Sequence, residues 1–445
     1  MMNSSLPQSE FATRRARLMA QLPTGGLAVV PGAAMRSRNR DVEYPFRQDS
    51  DFYYLTGFDE PDAVLVLLPG RAEGEVVLFC QGRDPEMEIW HGYRTGPEGV
   101  VAHYGADEAH PVSEIDRRLP DLLEGRCSIC YSIGTDENVD GQVRQWLKVV
   151  QARSRQGVVA PTELVMLDPL LHELRLFKSD AEIGLMRDAG RISAQAHVRA
   201  MQQCRPGLYE YQLEAEITHH FAMHGCHLPA YSSIVGGGAN GCILHYTENR
   251  DALRAGDLVL IDAGCEREYY AGDITRTFPV DGHFSPEQKQ LYELVLRTQQ
   301  ACIELVRPGV LWNEVHDLSV RMLTAGLVEL GLLDGDADEL IEAGAYRAFY
   351  MHRLGHWLGM DVHDVGDYRV AGEWRPLQPG MVMTVEPGLY VSPNNEQVEA
   401  RWRGIGIRIE DDVLVTASGC EVLSAAAPKS VAEIEALMAQ ARQSR

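Results

Sequence analysis

The chain has 445 residues, which at roughly 100–200 residues per domain is enough for two or three domains with substantial cores. It carries 41 Lys and Arg against 64 Asp and Glu, a formal net charge of −23, which argues against a surface that binds nucleic-acid phosphates. Hydrophobic residues make up 45% and charged residues 24% of the sequence, and no apolar run is long enough to span a bilayer, so a membrane partner is not expected either.

The N-terminal sequence and the cysteines indicate an intracellular protein. Arg14, Arg15 and Arg17 lie where a secretory signal would have its apolar core. The nine cysteines are scattered without a dense framework, which is typical of reduced thiols. Cys127 and Cys130 have a C-x-x-C spacing without a second pair, and the apolar residues around them favour two buried thiols on a strand over a zinc or redox site. We expect a cytoplasmic location.

The first part of the chain alternates short apolar runs with helical stretches. Residues 26–30, 63–68 and 75–79 have the composition of buried strands and are separated by Pro and Gly turns. A helical connector follows Pro161. This alternation predicts an N-terminal α/β domain.

A boundary is predicted where the next helix begins. Ser179 and Glu182 have the spacing of a capping box, in which each side chain bonds the backbone N–H of the other residue. We therefore assign residues 1–174 to the α/β domain and residues 175–445 to a second domain.

The second domain repeats its own pattern. A capping box at Ser179 and another at Ser285 each begin a helix that stops at an Arg-Pro-Gly sequence and precedes a second helix. Two later strands also correspond, with Asp262 and Glu386 at the same place. The positions that match at a constant spacing are Leu253, Gly256, Val259, Ile261, Asp262 and Gly264 in the first half and Leu377, Gly380, Met383, Val385, Glu386 and Gly388 in the second. We predict an α+β domain with an internal pseudo-twofold repeat; chance matching of one buried-strand pattern is the alternative.

Two aspartates in the first half are predicted to face each other. Asp262 lies on a buried strand and Asp273 on its hairpin partner, with the turn expected at Arg267 and Glu268. A symmetric hairpin about that turn sets the two carboxylates directly opposite, with Cβ atoms about 4.5–5.5 Å apart. Like charges so close need a cation, because otherwise one carboxyl group stays protonated.

The second half supplies further candidate ligands. Glu386 and Glu410 follow a histidine cluster formed by His352, His356 and His363. Two Asp, two Glu and one His make an oxygen-rich set that suits a pair of Mn²⁺-like ions better than one zinc ion, which favours a two-metal hydrolase. The alternative is that these acids form ion pairs with arginines, namely Arg276, Arg403 and Arg408.

Two other kinds of site have little support. Residues 236–240 are glycine-rich but lack the spacing of a phosphate-binding loop, so we predict a flexible loop that delivers Leu244, His245 and Tyr246 to the site. The sequence has no Gly-x-Ser-x-Gly elbow, which argues against a serine hydrolase.

Together these residues resemble the pita-bread metallopeptidases, and more narrowly the aminopeptidase P branch. The motifs that carry the resemblance are residues 43–58 in the first domain and residues 261–264, 272–277, 358–364 and 408–411 in the second. The resemblance implies a centre of two divalent ions, usually manganese, bridged by Asp273 and Glu410. It places Asp262 on one ion, and His356 and Glu386 on the other.

The resemblance also implies roles around the metal centre. His245, His352 and His363 would contact substrate or the tetrahedral intermediate, and Arg408 would support the ligands. Glu386 would accept and return the proton in a metal-assisted hydrolysis. The residues implied for the specificity pocket, some of them offered across a subunit contact, are Asp41, Trp90, Arg155 and Tyr390.

The implied activity is removal of the first residue from peptides with proline in second position, by a homo-oligomer, either dimer or tetramer. An Xaa-Pro dipeptidase on the same fold is the nearest alternative. Arg353, which replaces a glycine found in many relatives after the first histidine, could serve such a dipeptidase as the cation for the proline carboxylate. Methionine aminopeptidase is disfavoured by the whole additional domain. A metal-free binding protein is disfavoured because all five ligand positions are kept.

Overall fold

The computed structural model describes residues 6–443 and forms two compact units, one up to Arg175 and one from Leu176 onward. We propose the domain limits 1–174 and 175–445, which lie one residue from this division. The ends of those ranges, residues 1–5 and 444–445, lie outside the described residues.

The strands of the first unit are β1 (Leu27–Pro31), β2 (Ser37–Asn39), β3 (Val42–Glu43), β4 (Val64–Leu67), β5 (Val76–Cys80), β6 (Glu108–Pro111), β7 (Ser128–Tyr131) and β8 (Glu163–Met166). The unit contains one six-stranded sheet, with the strand order β6-β5-β4-β1-β7-β8, and a separate two-stranded sheet of β2 and β3. Its helices are α1 (Gln8–Met19), α2 (Ser50–Thr56), α3 (Pro85–His91), α4 (Gly96–Tyr104), α5 (Ile115–Leu123), α6 (Glu137–Ala152) and α7 (Asp168–Leu176), with the division falling in the last turn of α7.

The apolar runs of the first unit form the middle of the six-stranded sheet, which confirms the predicted α/β architecture. β1 pairs antiparallel with β4 and parallel with β7, and β4 pairs antiparallel with β5. Consecutive side chains of a strand point to opposite faces, yet Leu27 through Val30 are all buried. Such continuous burial is typical of a strand that is covered on both faces.

The cysteine prediction is half wrong. Cys130 is buried in β7, but Cys127 is exposed because the strand begins only at Ser128. None of the nine cysteines, all of which lie within the described residues, forms a disulfide.

The second unit contains the internal repeat. Its helices are α8 (Asp180–Gln203), α9 (Glu210–Met223), α10 (Pro286–Leu305), α11 (Trp312–Glu329), α12 (Ala337–Glu342) and α13 (Val431–Gln443). Its strands are β9 (Ile234–Gly237), β10 (Leu258–Asp262), β11 (Glu266–Arg267), β12 (Tyr270–Ala271), β13 (Thr275–Pro279), β14 (Arg369–Val370), β15 (Glu373–Trp374), β16 (Val382–Val385), β17 (Gly388–Val391), β18 (Ile405–Arg408), β19 (Asp411–Val415) and β20 (Cys420–Val422).

Each half of the repeat pairs two helices with an antiparallel sheet. Capping boxes at Ser179 and Ser285 begin α8 and α10, as predicted. The sheet of the first half has the strand order β13-β10-β9, and that of the second half has the order β16-β19-β20. Ile192 of α8, Phe221 of α9 and Val295 of α10 pack in one buried cluster, while β16 and β19 contribute to a second cluster. The predicted pseudo-twofold repeat is therefore confirmed.

The register predicted for the aspartate hairpin is wrong. Asp262 lies opposite Thr275 and not opposite Asp273. The turn residues are Glu268 and Tyr269, whose φ angles are 47° and 74°, and two positive φ angles are the signature of a two-residue type I′ hairpin turn. The turn thus lies one residue later than predicted, so Asp273 becomes a diagonal neighbour of Asp262 on the same face.

Gly264 lets the hairpin close where Asp273 leaves the ladder. Ala263 N–H donates to Ile274 and Gly272 N–H donates to Cys265, so Gly264 is enclosed between two backbone hydrogen bonds. A Cβ atom on Gly264 would overlap the carbonyl oxygen of Gly272. Only glycine permits this approach of the two chains.

The glycine-rich residues 236–240 are not a flexible loop, contrary to prediction. Ile234–Gly237 is strand β9, which pairs with β10, and Gly238–Cys242 is a short 3₁₀-helix. A Cβ atom on Gly236 would lie 2.9 Å from the backbone of Asn240. The glycines therefore serve close backbone packing.

Among the described residues, no helix has both the length and the apolarity needed to cross a membrane.

Candidate metal centre

The five predicted ligands come from five separate stretches of the second unit. Asp262 ends β10, Asp273 lies between β12 and β13, and Glu386 directly follows β16. Glu410 lies between β18 and β19, and His356 belongs to the connection that precedes β14. Both halves of the repeat therefore contribute carboxylates from equivalent strand ends.

These side chains converge in the fold. Ligand atoms of Asp273, His356 and Glu410 lie within 4.8 Å of one another. His356 Nε2 is 3.4 Å from a carboxylate oxygen of Asp273 and 3.6 Å from one of Glu386. The Tyr231 hydroxyl is 2.5 Å from Oδ1 of Asp262 and 2.5 Å from Oδ1 of Asp273. The arrangement brings together all five side chains.

His356 has the tautomer that a metal ligand needs. Its Nδ1 donates to the Trp357 carbonyl oxygen at 2.9 Å, which leaves Nε2 facing the carboxylates. Burial alone would lower the pKa of His356, but hydrogen bonding and charge from Asp273 and Glu386 raise it to about 9. A cation at this place would take the position of that proton.

The carboxylates cannot all be ionised without a cation. Burial raises the pKa of Glu386 to about 7, against the opposing charges of His356 and Arg408. Burial and the neighbouring acids, Asp273 first among them, raise the pKa of Glu410 well above its usual value. Divalent ions satisfy such a set by binding the ionised oxygens directly, so these residues fit a hard, oxygen-liganded divalent metal.

The ion-pair alternative holds for one arginine and is wrong for two. Arg408 donates to Asp262 at 2.5 Å and neutralises that one acid. Arg276 instead pairs with Asp411 at 2.7 Å, and both side chains are fully buried beside the ligand Glu410. Arg403 donates to the Val398 carbonyl oxygen. A single arginine pairs with one of the four acidic ligands, so the set as a whole still needs cations.

Several residues that hold the ligands are absent from the sequence prediction. Thr275 donates to Glu410 at 2.6 Å, and Thr384 accepts from the His356 backbone at 3.0 Å. The Asp412 carboxylate accepts from the Asp273 backbone N–H at 3.1 Å. Thr275 and Asp412 lie within two residues of a predicted ligand, a usable signal, whereas nothing near Tyr231 in the sequence links it to Asp262.

A chain of hydrogen bonds orients the first histidine of the cluster. Arg408 donates to the Tyr390 hydroxyl at 3.0 Å, and Tyr390 bonds His352 Nε2 at 2.9 Å. His352 Nδ1 donates to the Arg353 carbonyl oxygen at 2.7 Å. Burial and the charge of Arg408 lower the pKa of His352 to about 3, so its imidazole is neutral.

Two more histidines approach the carboxylates from the exposed side. The ring of His363 meets that of His356 edge-to-face at 4.3 Å between centroids. His245 is exposed, and it is near enough to contribute to the lowered pKa values of both His352 and His363, for which burial is the largest cause. The imidazole of His245 therefore lies within electrostatic range of those of both His352 and His363.

The residues predicted for the specificity pocket are distributed over both units. Tyr390 is buried in the second unit, between Arg408 and His352. The other three are exposed in the first unit: Asp41 lies in the turn between β2 and β3, Trp90 in α3, and Arg155 in a 3₁₀-turn after α6. Their part in substrate binding stays a prediction.

Comparison with known proteins assigns both parts of the chain. Residues 184–417 match Metallopeptidase family M24, and residues 11–131 match the domain described as Aminopeptidase P, N-terminal domain. The chain is 49% identical over 440 residues to Xaa-Pro aminopeptidase of Escherichia coli (strain K12), with 99% of each chain covered.

Solved structures agree with this assignment. The fold is similar to that of aminopeptidase PepP of Pseudomonas aeruginosa, with a TM-score of 0.98, 58% identity, and coverage of 98% of this chain and 99% of that one. It is also similar to zinc-substituted E. coli aminopeptidase P in complex with product, with a TM-score of 0.96, 49% identity, and coverage of 99% of this chain and 100% of that one. The predicted resemblance and the predicted two-domain fold are confirmed.

Proposed function

The chain belongs to Metallopeptidase family M24, and from this premise we propose that it is an Xaa-Pro aminopeptidase that releases the first residue of peptides with proline in second position. The observation that carries the proposal is the convergence of four carboxylates and the Nε2 atom of His356 in the second unit. Similarity to Xaa-Pro aminopeptidase over 99% of the chain supports the substrate class.

The enzyme uses divalent metal, and we propose two ions, Mn²⁺ in the cell. Asp262, Asp273, His356, Glu386 and Glu410 would hold them. Bound ions supply Lewis acidity and lower the pKa of water toward neutrality. The oxygen-rich donor set supports manganese over a zinc site of nitrogen and sulfur ligands.

Side chains around the metal would transfer the proton and bind the peptide carbonyl. Glu386 would accept a proton from the attacking water and later return it to the leaving amine. His245 and His363 would bind the peptide carbonyl and the oxyanion that develops from it. Tyr390 and Arg408 hold His352 in one tautomer, so this neutral ring is available to contact substrate.

Selectivity for proline follows from what its amide lacks. A peptide bond to proline has no N–H, so a pocket that fits the ring and demands no donor discriminates in its favour. We propose that Asp41, Trp90, Arg155 and Tyr390 line that pocket, some of them offered across a subunit contact.

A comparison of three peptides tests the proposal. With the Mn²⁺-loaded enzyme, we expect kcat/KM for an Xaa-Pro-Yaa tripeptide to exceed that for an Xaa-Ala-Yaa tripeptide by at least about a hundredfold, and the Xaa-Pro dipeptide to be a poor substrate. Equal rates for proline and alanine would exclude proline selectivity. Preference for the dipeptide would indicate a dipeptidase, with the exposed Arg353 beside His352 as the cation for the proline carboxylate.

We also propose that the enzyme is a homo-oligomer, a dimer or tetramer, in the cytoplasm. Trp90 is 80% exposed, and Ile89 and Tyr93 beside it are exposed to a similar degree, which is typical of a surface that a partner covers. Nine cysteines without a disulfide among them, all within the described residues, support a reducing compartment.

The oligomer proposal predicts the behaviour of a Trp90→Ala variant. It should sediment at a lower mass than wild type or lose kcat/KM on the tripeptide, because the exposed indole is offered to a neighbouring subunit. Analytical ultracentrifugation with a parallel assay measures both. A fully active wild-type monomer would refute the proposal.

A further inference from the structure

The segment that carries His245 is held by a buried carboxylate outside the metal centre. Glu210 is the first residue of α9 and is fully buried. Its Oε1 accepts from Gly237 N–H at 2.7 Å and from the Asn240 side-chain amide at 3.0 Å. Its Oε2 accepts from the Tyr246 hydroxyl at 2.8 Å and from Asp251 N–H at 2.8 Å.

The four residues that donate these hydrogen bonds lie on both sides of His245 in the sequence. Gly237 and Asn240 precede His245, Tyr246 directly follows it, and Asp251 ends the segment. None of the four is a cation, so Glu210 does not act here as the partner of an ion pair. A buried carboxylate that accepts several charge-assisted hydrogen bonds instead fixes the geometry of the groups that donate them.

We propose that Glu210 is a positioning residue for the hydrolysis, acting through His245. The inference rests on the proposed function, in which His245 contacts the substrate carbonyl. His245 is itself exposed, with its neighbour Tyr246 buried against Glu210, so the carboxylate determines where an otherwise solvent-facing imidazole is held. A displacement of a catalytic group by about 1 Å can cost about a hundredfold in rate.

The chemistry of the donors explains why glutamine cannot replace this glutamate. All four groups donate, and an ionised carboxylate accepts from all of them, whereas a glutamine amide presents N–H groups to two of them. On the Oε1 side this amide would face Gly237 N–H, and on the Oε2 side Asp251 N–H, and a backbone donor cannot reverse its role. Glu210→Gln therefore loses at least one hydrogen bond and loosens the segment.

A double-mutant cycle tests the inference on the Mn²⁺-loaded full-length enzyme. We expect Glu210→Gln to lower kcat/KM for an Xaa-Pro-Yaa tripeptide by about ten- to a hundredfold with unchanged bound metal. In a His245→Ala background the same change should cost less than about twofold, because the group it positions is already gone. Losses that multiply in the double variant would overturn the inference.

Two further variants keep the test independent of folding. Tyr246→Phe removes one donor and leaves the carboxylate, so its smaller loss should also vanish in the His245→Ala background; a loss that persists there would overturn the inference. Glu314→Gln is the matched control, because this exposed glutamate in the first turn of α11 bonds only its own helix start at Leu311 in the contacts described, and we expect wild-type activity.

Hydrogen–deuterium exchange separates this inference from the proposed function. Glu210→Gln should speed exchange of the amides in residues 237–251 whether or not the tripeptide is the right substrate. Unchanged protection there would overturn the inference even if the wild type cleaves Xaa-Pro bonds. Faster exchange confined to this segment, together with a wild type that does not cleave them, would instead refute the proposed function and with it the part assigned to His245.

Discussion

Replacing Asp273 with asparagine is expected to lower kcat/KM on an Xaa-Pro-Yaa tripeptide by at least about a thousandfold, equivalent to about 4 kcal/mol. Asp273 lies 3.4 Å from His356 Nε2 and shares the Tyr231 hydroxyl with Asp262. An amide at this position keeps the side-chain volume but removes a negative charge that would help to hold the metal. The backbone N–H bond to Asp412 is untouched, so the fold should persist.

The measurement pairs turnover with elemental analysis of bound metal. Asp281→Asn is the matched control, since Asp281 follows β13 of the same hairpin and its carboxylate accepts only from the backbone N–H groups of Gly256 and His283 in the contacts described. Its activity and metal content should equal those of wild type. The effect of Tyr231→Phe should be smaller than that of Asp273→Asn and larger than that of Asp281→Asn. Its metal affinity should be reduced by about ten- to a hundredfold, as is typical for a residue that bonds a ligand. Wild-type metal content and rate in Asp273→Asn would refute the shared site.

Removal of divalent metal is expected to abolish turnover, and Mn²⁺ is expected to restore it. Without cations, burial and mutual repulsion favour protonation of carboxyls such as Glu410 and Glu386, so the protein alone offers neither the charges nor the Lewis acid that the reaction needs. The loss should be complete, which makes this effect larger than that of any single substitution.

Dialysis against a chelator, followed by activity and thermal unfolding, checks this expectation. Ions that bind only the folded state stabilise it, so the chelated protein should also unfold at a lower temperature and regain both properties with Mn²⁺. Mg²⁺ added at the same concentration provides the comparison for manganese preference. Full activity in a preparation shown to be free of metal would end the metallopeptidase interpretation.

Local signals in the sequence were sufficient for the architecture and for placing two of the candidate ligands on equivalent strands. The capping boxes at Ser179 and Ser285 encode the helix starts directly in residues three apart. The repeat placed Asp262 and Glu386 at equivalent strand ends, and the structure has them there. Predictions from a pattern within one helix or strand agree with the structure because such a pattern depends only on the backbone of that element.

The hairpin register was missed because it depends on one turn. Glu268 and Tyr269 have positive φ angles, yet neither is a residue type that favours them, so composition could not place the turn. A shift of one residue in the turn moved the partner of Asp262 from Asp273 to Thr275. The two carboxylates still share a face because the displacement along the partner strand is two residues.

The features of the site that the sequence does not predict depend on contacts between residues far apart in the chain. Tyr231 reaches Asp262 and Asp273 across the hairpin, and Glu210 reaches Tyr246 from the start of α9. No spacing in the sequence encodes these bonds, since they form only once the helices and sheets have packed. The glycine-rich segment was misread for the same reason: Gly236 is required by its packing against Asn240, which sequence alone does not show.

The most direct measurement of the central claim is an anomalous difference map from crystals of the Mn²⁺-loaded protein, recorded at the manganese absorption edge. We predict two peaks, both enclosed by the side chains of Asp262, Asp273, His356, Glu386 and Glu410. One peak alone, or peaks that none of these carboxylates contacts, would contradict a two-metal centre built from these five residues.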